Sequence, residues 1–225
     1  MNHRRHGIRE LDTAHRMLKT RNRRIFNVMT KQLNIDRLNE ALTLLAERLQ
    51  LAAVEPQELV VCGGSSLIAR GYVSRVTRDV DVVARKVRGE GLISARPLPE
   101  KLLEEAARVA ADLGLPPRWL NSDPADLFEM GLPDGFSNRL QSHVYGAHLT
   151  IWFIDRIDQI HFKLYAATDQ GPGQHVDDLL ALNPTGDELL AAARWAFTHD
   201  VSPSFRELMW NILTQLDHAD VARQL

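Results

Sequence analysis

The stretch from Leu59 to Val83 constrains this chain more than any other. It begins Leu59-Val60-Val61-Cys62-Gly63-Gly64-Ser65-Ser66 and ends Arg75-Val76-Thr77-Arg78-Asp79-Val80-Asp81-Val82-Val83. Four apolar residues stopped by two glycines predict a short buried strand, 59–62, running into a tight turn. Without side chains, Gly63 and Gly64 let the backbone approach a phosphate closely. The residues after them would open a helix, whose free N–H groups favour an anion. Ser65 and Ser66 add hydroxyl donors there. A second strand is predicted over 78–84. Asp79 and Asp81 lie two apart on it, so their carboxylates share one face, and Thr77 falls on the same side. Val80, Val82 and Val76 fall on the opposite, core side. Two adjacent carboxylates repel each other unless a cation sits between them, and hard oxygen ligands beside phosphate oxygens suit Mg²⁺.

The rest of the chain supplies a scaffold of mixed type. Leu38, Leu42, Leu45 and Leu49 keep a three-to-four spacing that predicts an amphipathic helix over 36–51, capped by Asn34 or Asp36. Residues 85–97 read as a loop. A helix follows, opened by Pro99 and closed by Gly114. Residues 115–145, rich in Pro, Asp and Asn, read as irregular. A strand is expected over 147–154, then a helix over 156–168 with Asp155 as its cap and Asp158 in its first turn. Ile157, Ile160 and Leu164 would form its buried face, with Lys163 at the border. A short helix over 175–182 stops at Asn183-Pro184, with His175 read as a cap or surface residue. Thr185 and Glu188 form a capping box for a helix reaching about His199, and Pro203 opens the last one. The fold class is therefore α+β: a mixed sheet flanked by helices, with a helical C-terminal region.

Charge is unevenly spread over the 225 residues. Residues 1–28 carry eight Lys/Arg against two Asp/Glu; the remainder carries nineteen against twenty-seven. An acidic body argues against broad, nonspecific nucleic-acid binding. The basic arm, with Arg21, Arg23 and Arg24, reads as dispensable, since Met29 precedes a clean helix start and would serve as a start codon. No apolar stretch reaches the roughly 18 residues that a membrane span requires, and no apolar run follows the basic N-terminus as in a signal peptide. Cys62 is the one cysteine, so no intramolecular disulfide is possible, and a cytoplasmic location with no membrane partner is expected.

The Gly-Gly-Ser turn with Asp79-Val80-Asp81 downstream resembles the first motif of nucleotidyltransferases of the DNA polymerase β superfamily. A second constellation runs Asp155-Arg156-Ile157-Asp158-Gln159-Ile160-His161-Phe162-Lys163-Leu164, then His175-Val176-Asp177-Asp178-Leu179. It resembles the Lys-then-Asp motifs of AbiEii-type toxins and minimal nucleotidyltransferases. The resemblance spans about residues 30–200 and implies a nucleotidyltransferase core over 29–170, followed by a helical region over 171–225. It implies that Asp79 and Asp81 bind Mg²⁺, that Gly63, Gly64, Ser65, Ser66 and Thr77 bind the nucleotide, and that Lys163 and Asp177 or Asp178 complete the catalytic set. The expected activity is transfer of NMP from an NTP to a tRNA, protein or small-molecule acceptor, with a toxin–antitoxin role and an antitoxin partner as a finer expectation. One departure stands out. Many members of the superfamily carry a third carboxylate on a later strand, and Ala147-His148-Leu149-Thr150-Ile151-Trp152-Phe153-Ile154 holds none. An inactive nucleotide-binding or partner-binding module on the same fold is the alternative expectation.

Overall fold

Period-two burial organises the sheet. In strand β1 (Gln57–Cys62), Leu59 and Val61 belong to one apolar cluster, while Val60 and Cys62 belong to another on the opposite face. The computed structural model describes residues 32–225; the calls made on the basic arm 1–28 lie outside the described residues. β1 runs antiparallel to β2 (Val80–Val87), which pairs with β3 (Gly91–Ser94) and, in parallel at its start, with the two-residue β4 (Leu120–Asn121). On its other side β1 runs parallel to β6 (Leu149–Phe153), and β6 pairs with β5 (Gln141–Gly146) at the edge. The sheet order is thus β3-β2-β1-β6-β5, with β4 beside β2, and the fold is α+β as expected.

Helices α1 (Ile35–Leu51) and α3 (Glu100–Leu113) cover one face. Leu38, Leu42, Leu45 and Leu49 of α1, with Leu102 and Val109 of α3, pack onto Leu59, Val61, Val80 and Val82. Asn34 caps α1 by accepting from Arg37 N, and Gly114 ends α3 in the left-handed conformation, at φ 64°. Trp119, fully buried in this core, donates its Nε1–H to the Ala106 carbonyl over 2.8 Å.

The C-terminal helices cluster around one helix rather than around the sheet. α6 (Arg156–Gln170) is capped by Asp155, whose side chain accepts from Ile157 N. Its Ile160, Leu164 and Ala167 meet α7 (Gly173–Leu182), α8 (Gly186–Ala196) and α9 (Pro203–Gln215), while its Phe162 packs toward the sheet. The Thr185–Glu188 capping box opens α8, and Pro203 sits in the first turn of α9. A one-turn helix, Ala219–Ala222, closes the chain.

Two stretches depart from the reading of the sequence. The loop expected over 85–97 is largely a hairpin, because β2 extends to Val87 and turns back into β3. The irregular stretch 115–145 contains β4, the short helices α4 (Ala125–Met130) and α5 (Phe136–Arg139), and β5. These elements are too short for a helical or alternating period to register, and β5 is an exposed edge whose residues lack an apolar face. Two assignments to the core also fail. Val76 precedes β2 and is 41% exposed, and Ile157, in the first turn of α6, is 37% exposed.

Candidate active site

The turn after β1 is built around the acid that faces it. Gly63 has φ +68°, and a Cβ there would lie 2.5 Å from Asp81 Oδ2. On Gly64 a Cβ would lie 2.7 Å from Thr77 Oγ1 and 3.2 Å from Arg75 Nη2. The glycines therefore do more than admit a ligand: they let α2 (Gly63–Ala69) seat directly against the segment that carries the aspartates. Thr77 is held by a reciprocal backbone pair with Leu33, of 2.7 and 2.9 Å, and its hydroxyl donates to Asp79 Oδ1 over 3.2 Å.

Asp79 lies just before β2 and Asp81 inside it, opposite Cys62 of β1 and Asn121 of β4. Asp81 Oδ1 accepts from Asn121 Nδ2 at 3.1 Å. Burial, and next the charge of Asp79, push the Asp81 carboxyl up to about 6, against the opposing pull of the Asn121 hydrogen bond and Lys163. Two crowded carboxylates with hard oxygen donors form a pair that fits Mg²⁺, which would relieve their repulsion. Among the described residues, no cluster of three or more His, Cys, Asp or Glu is arranged to hold a metal ion, so Asp79 and Asp81 stand as a pair.

Helix α6 supplies the facing wall. Lys163 is buried, and its Nζ lies 2.8 Å from Asp178 Oδ2 of α7. The Arg75 guanidinium grips the same carboxylate through Nε at 2.9 Å and Nη2 at 2.8 Å. Burial alone would raise the Asp178 carboxyl; Arg75 and Lys163 outweigh it and hold it below 3.8. Arg75 thus ties the glycine turn to α7, because Gly64 leaves room for its guanidinium.

These elements enclose a cleft of about 480 Å³. Gly63, Asp81 and Lys163 line it, with Gln159 and His175 beside them, and Leu127, Met130 and Phe162 form an apolar flank. Thr77, Asp79 and Asp178 are not among its lining residues; Asp178 pairs with Lys163, which is, and Thr77 bonds Asp79. Ser65 and Ser66 are fully buried and do not line the cleft; the Ser65 hydroxyl donates to the Cys62 carbonyl at 3.4 Å, and Ser66 Oγ has no partner among the described residues. His175 is not a cap, since Pro172 holds that position in α7; it is half-buried in the cleft, where burial and then Lys163 lower its pKa.

Four residues of the site carried no role in the reading of the sequence: Arg75, Asn121, Asp123 and Gln159. Arg75 sits inside the first motif, and its position between Gly64 and Thr77 is a usable signal. Asn121 ends, and Asp123 follows, a two-residue strand that leaves no periodic trace. Gln159 lies one helical turn before Lys163, a spacing that places both on one side of a helix.

A family profile described as nucleotidyltransferase of unknown function (DUF6036) matches residues 34–172. The match begins at the cap of α1 and ends between α6 and α7. It contains Gly63, Asp79, Asp81 and Lys163 but stops before Asp178. No curated protein and no solved structure matches the chain.

Proposed function

The chain belongs to the nucleotidyltransferase family of unknown function DUF6036, and on that premise we propose that it transfers NMP from an NTP to an acceptor hydroxyl with the help of Mg²⁺. The observation that carries the proposal is the meeting of the Gly63 turn, Asp81 and Lys163 around one cleft.

Each residue has a task that its surroundings support. Asp79 and Asp81 hold the cation, which when bound would neutralise phosphate oxygens. The turn at Gly63 and Gly64, which opens the first turn of α2, would cradle the β- and γ-phosphates through its backbone N–H groups. Thr77 orients Asp79 through its hydroxyl. Lys163, aimed by Asp178, offsets phosphate charge. The acceptor hydroxyl attacks the α-phosphorus in line; the bond from that phosphorus to the α,β-bridging oxygen breaks, pyrophosphate leaves with its electron pair, and the hydroxyl proton is lost to water. Positioning and electrostatics carry most of such a reaction, so a site with two aspartates is chemically sufficient.

The acceptor classes in scope are RNA, including tRNA ends, protein hydroxyls and small molecules. The resemblance to AbiEii-type toxins adds an antitoxin protein as a partner to test. Among the described residues no helix is long and apolar enough to cross a membrane; the proposed site of action is the cytoplasm. A second reading, an inactive nucleotide-binding or partner-binding module, draws on the absence of an acid from β6.

Incubation with each α-labelled NTP, Mg²⁺ and total cellular RNA or protein tests the transfer. Label in a macromolecular or small-molecule product supports the enzyme. Mg-dependent binding of NTP without any labelled product would leave the nucleotide-binding module; no binding at all would refute both the transfer and that module.

A further inference from the structure

We propose that the side-chain carbonyl of Gln159 recognises a sugar hydroxyl of the bound nucleotide. The proposal rests on the nucleotidyl-transfer reading of the same cleft.

Gln159 is fully buried, yet it forms part of the cleft wall between Gly63 and Lys163. Its Nε2 donates to the Gly63 carbonyl over 3.5 Å. Its Oε1 is buried and has no hydrogen-bond partner among the described residues. Exchanging the amide atoms does not resolve this, because it would set oxygen against the Gly63 carbonyl oxygen and leave an NH₂ unpaired instead. The orientation is therefore fixed by Gly63, and an acceptor is left over.

A buried acceptor without a donor is unfavourable, and in a cleft wall it marks a place where a ligand supplies the donor. Phosphate oxygens bound to a cation have no proton to give, so the donor is not the triphosphate. Gln159 lies one turn of α6, about 5.4 Å, from Lys163 and touches the glycine turn. If Lys163 and that turn hold the phosphates, the group next along the nucleotide is its sugar. A ribose hydroxyl donates; the hydrogen of a deoxyribose does not. The base, further out, falls toward Leu127, Met130 and Phe162.

Binding by calorimetry, with Mg²⁺ and no acceptor, tests this. The ribonucleoside triphosphate that binds tightest of the four is compared with its 2′-deoxy and 3′-deoxy forms. In the wild type, one deoxy form is expected to bind roughly fivefold or more weakly, the size of one neutral hydrogen bond. Gln159→Leu should bind the ribonucleotide as weakly as that deoxy form and lose the discrimination. The wild-type comparison needs no variant, so a misfolded Gln159→Leu leaves the test intact. Equal binding of all three sugars by the wild type, or an unchanged ratio in a folded Gln159→Leu, overturns the proposal. Binding of no triphosphate by the wild type overturns the nucleotide reading itself, and the proposal with it.

Discussion

Lys163 of α6 and Asp178 of α7 form a buried ion pair of 2.8 Å, and Arg75 bonds both oxygens of the same carboxylate. Asp178 is 1% exposed and Lys163 10%, so neither charge has water to fall back on. Removing Asp178 leaves a buried ammonium without a counter-charge, a loss of about 3–5 kcal/mol. Asp178→Ala should therefore lower the melting temperature sharply. Lys163→Met keeps the apolar stem and leaves Asp178 paired with Arg75, so its loss of stability should be clearly smaller. If Lys163 also meets phosphate, Lys163→Met should weaken NTP binding at least tenfold, roughly 1.4 kcal/mol. Thermal melts and calorimetry on both variants separate the two roles. Equal stability losses would refute this account of the pair.

The glycine turn makes a different demand. Gly63→Ala adds a Cβ 2.5 Å from Asp81 Oδ2 on a backbone at φ +68°. The left-handed conformation costs alanine about 1 kcal/mol, and the carboxylate must swing away. Metal and nucleotide affinity should then fall more than stability does. Titration of Mg²⁺ into Gly63→Ala, alongside a thermal melt, checks this; full Mg²⁺ affinity in the variant would show that the turn does not set the position of Asp81.

Both of those residues were legible in the sequence, for identifiable reasons. Gly63 follows an apolar run, Asp81 alternates with Val80 and Val82, and Asp155 and Gly114 carry cap chemistry that local geometry enforces. Lys163 was legible as a residue but not as a buried one, because α6 is covered on more than one side by Leu67 of α2, by Phe162's neighbours at the sheet and by α7 to α9. A one-dimensional period shows one apolar face and cannot report how many partners a helix has. Asn121 was out of reach for the opposite reason. Its strand is two residues long, and its role comes from a parallel pairing with Asp81, forty positions away. Arg75 depends on a contact of longer reach still, to Asp178, 103 positions away.

The aspartate pair should bind its cation jointly. Asp79→Asn with Asp81→Asn keeps shape and hydrogen-bonding capacity while removing both charges. Mg-dependent NTP binding should vanish from calorimetry while the protein remains folded by circular dichroism. Unchanged Mg-NTP affinity in the double variant would sink the assignment of the metal pair and, with it, the transfer chemistry built on that pair.

Asp81 also gives the metal-free protein a pH signature whose sign is fixed. Its carboxyl sits at about 6 in the fold against an ordinary 3.8. Between those two values the folded state holds a proton that the unfolded chain has released. Stability is therefore fully supported below 3.8 and declines as the pH rises through about 6, where a buried charge must form beside Asp79. In a chelating buffer, the wild type should melt a few degrees lower at pH 7.5 than at pH 5 through this group, at about 2–4 °C per kcal/mol for a chain of this size. Other groups titrate as well, so the decisive quantity is the difference from Asp81→Asn. That variant lacks the ionisation and should be the more stable protein at pH 7.5, with the gap closing toward pH 5. Added Mg²⁺ should reverse the trend for the wild type alone, since a cation binds the ionised pair and competes with the proton. At pH 5, one unit below the Asp81 value, Mg²⁺ should bind about tenfold more weakly than at pH 7. Melting temperatures are to be measured for wild type and Asp81→Asn across pH 5–7.5, with and without Mg²⁺; the same response to pH and to Mg²⁺ in both proteins would show that Asp81 carries neither the strain nor the cation.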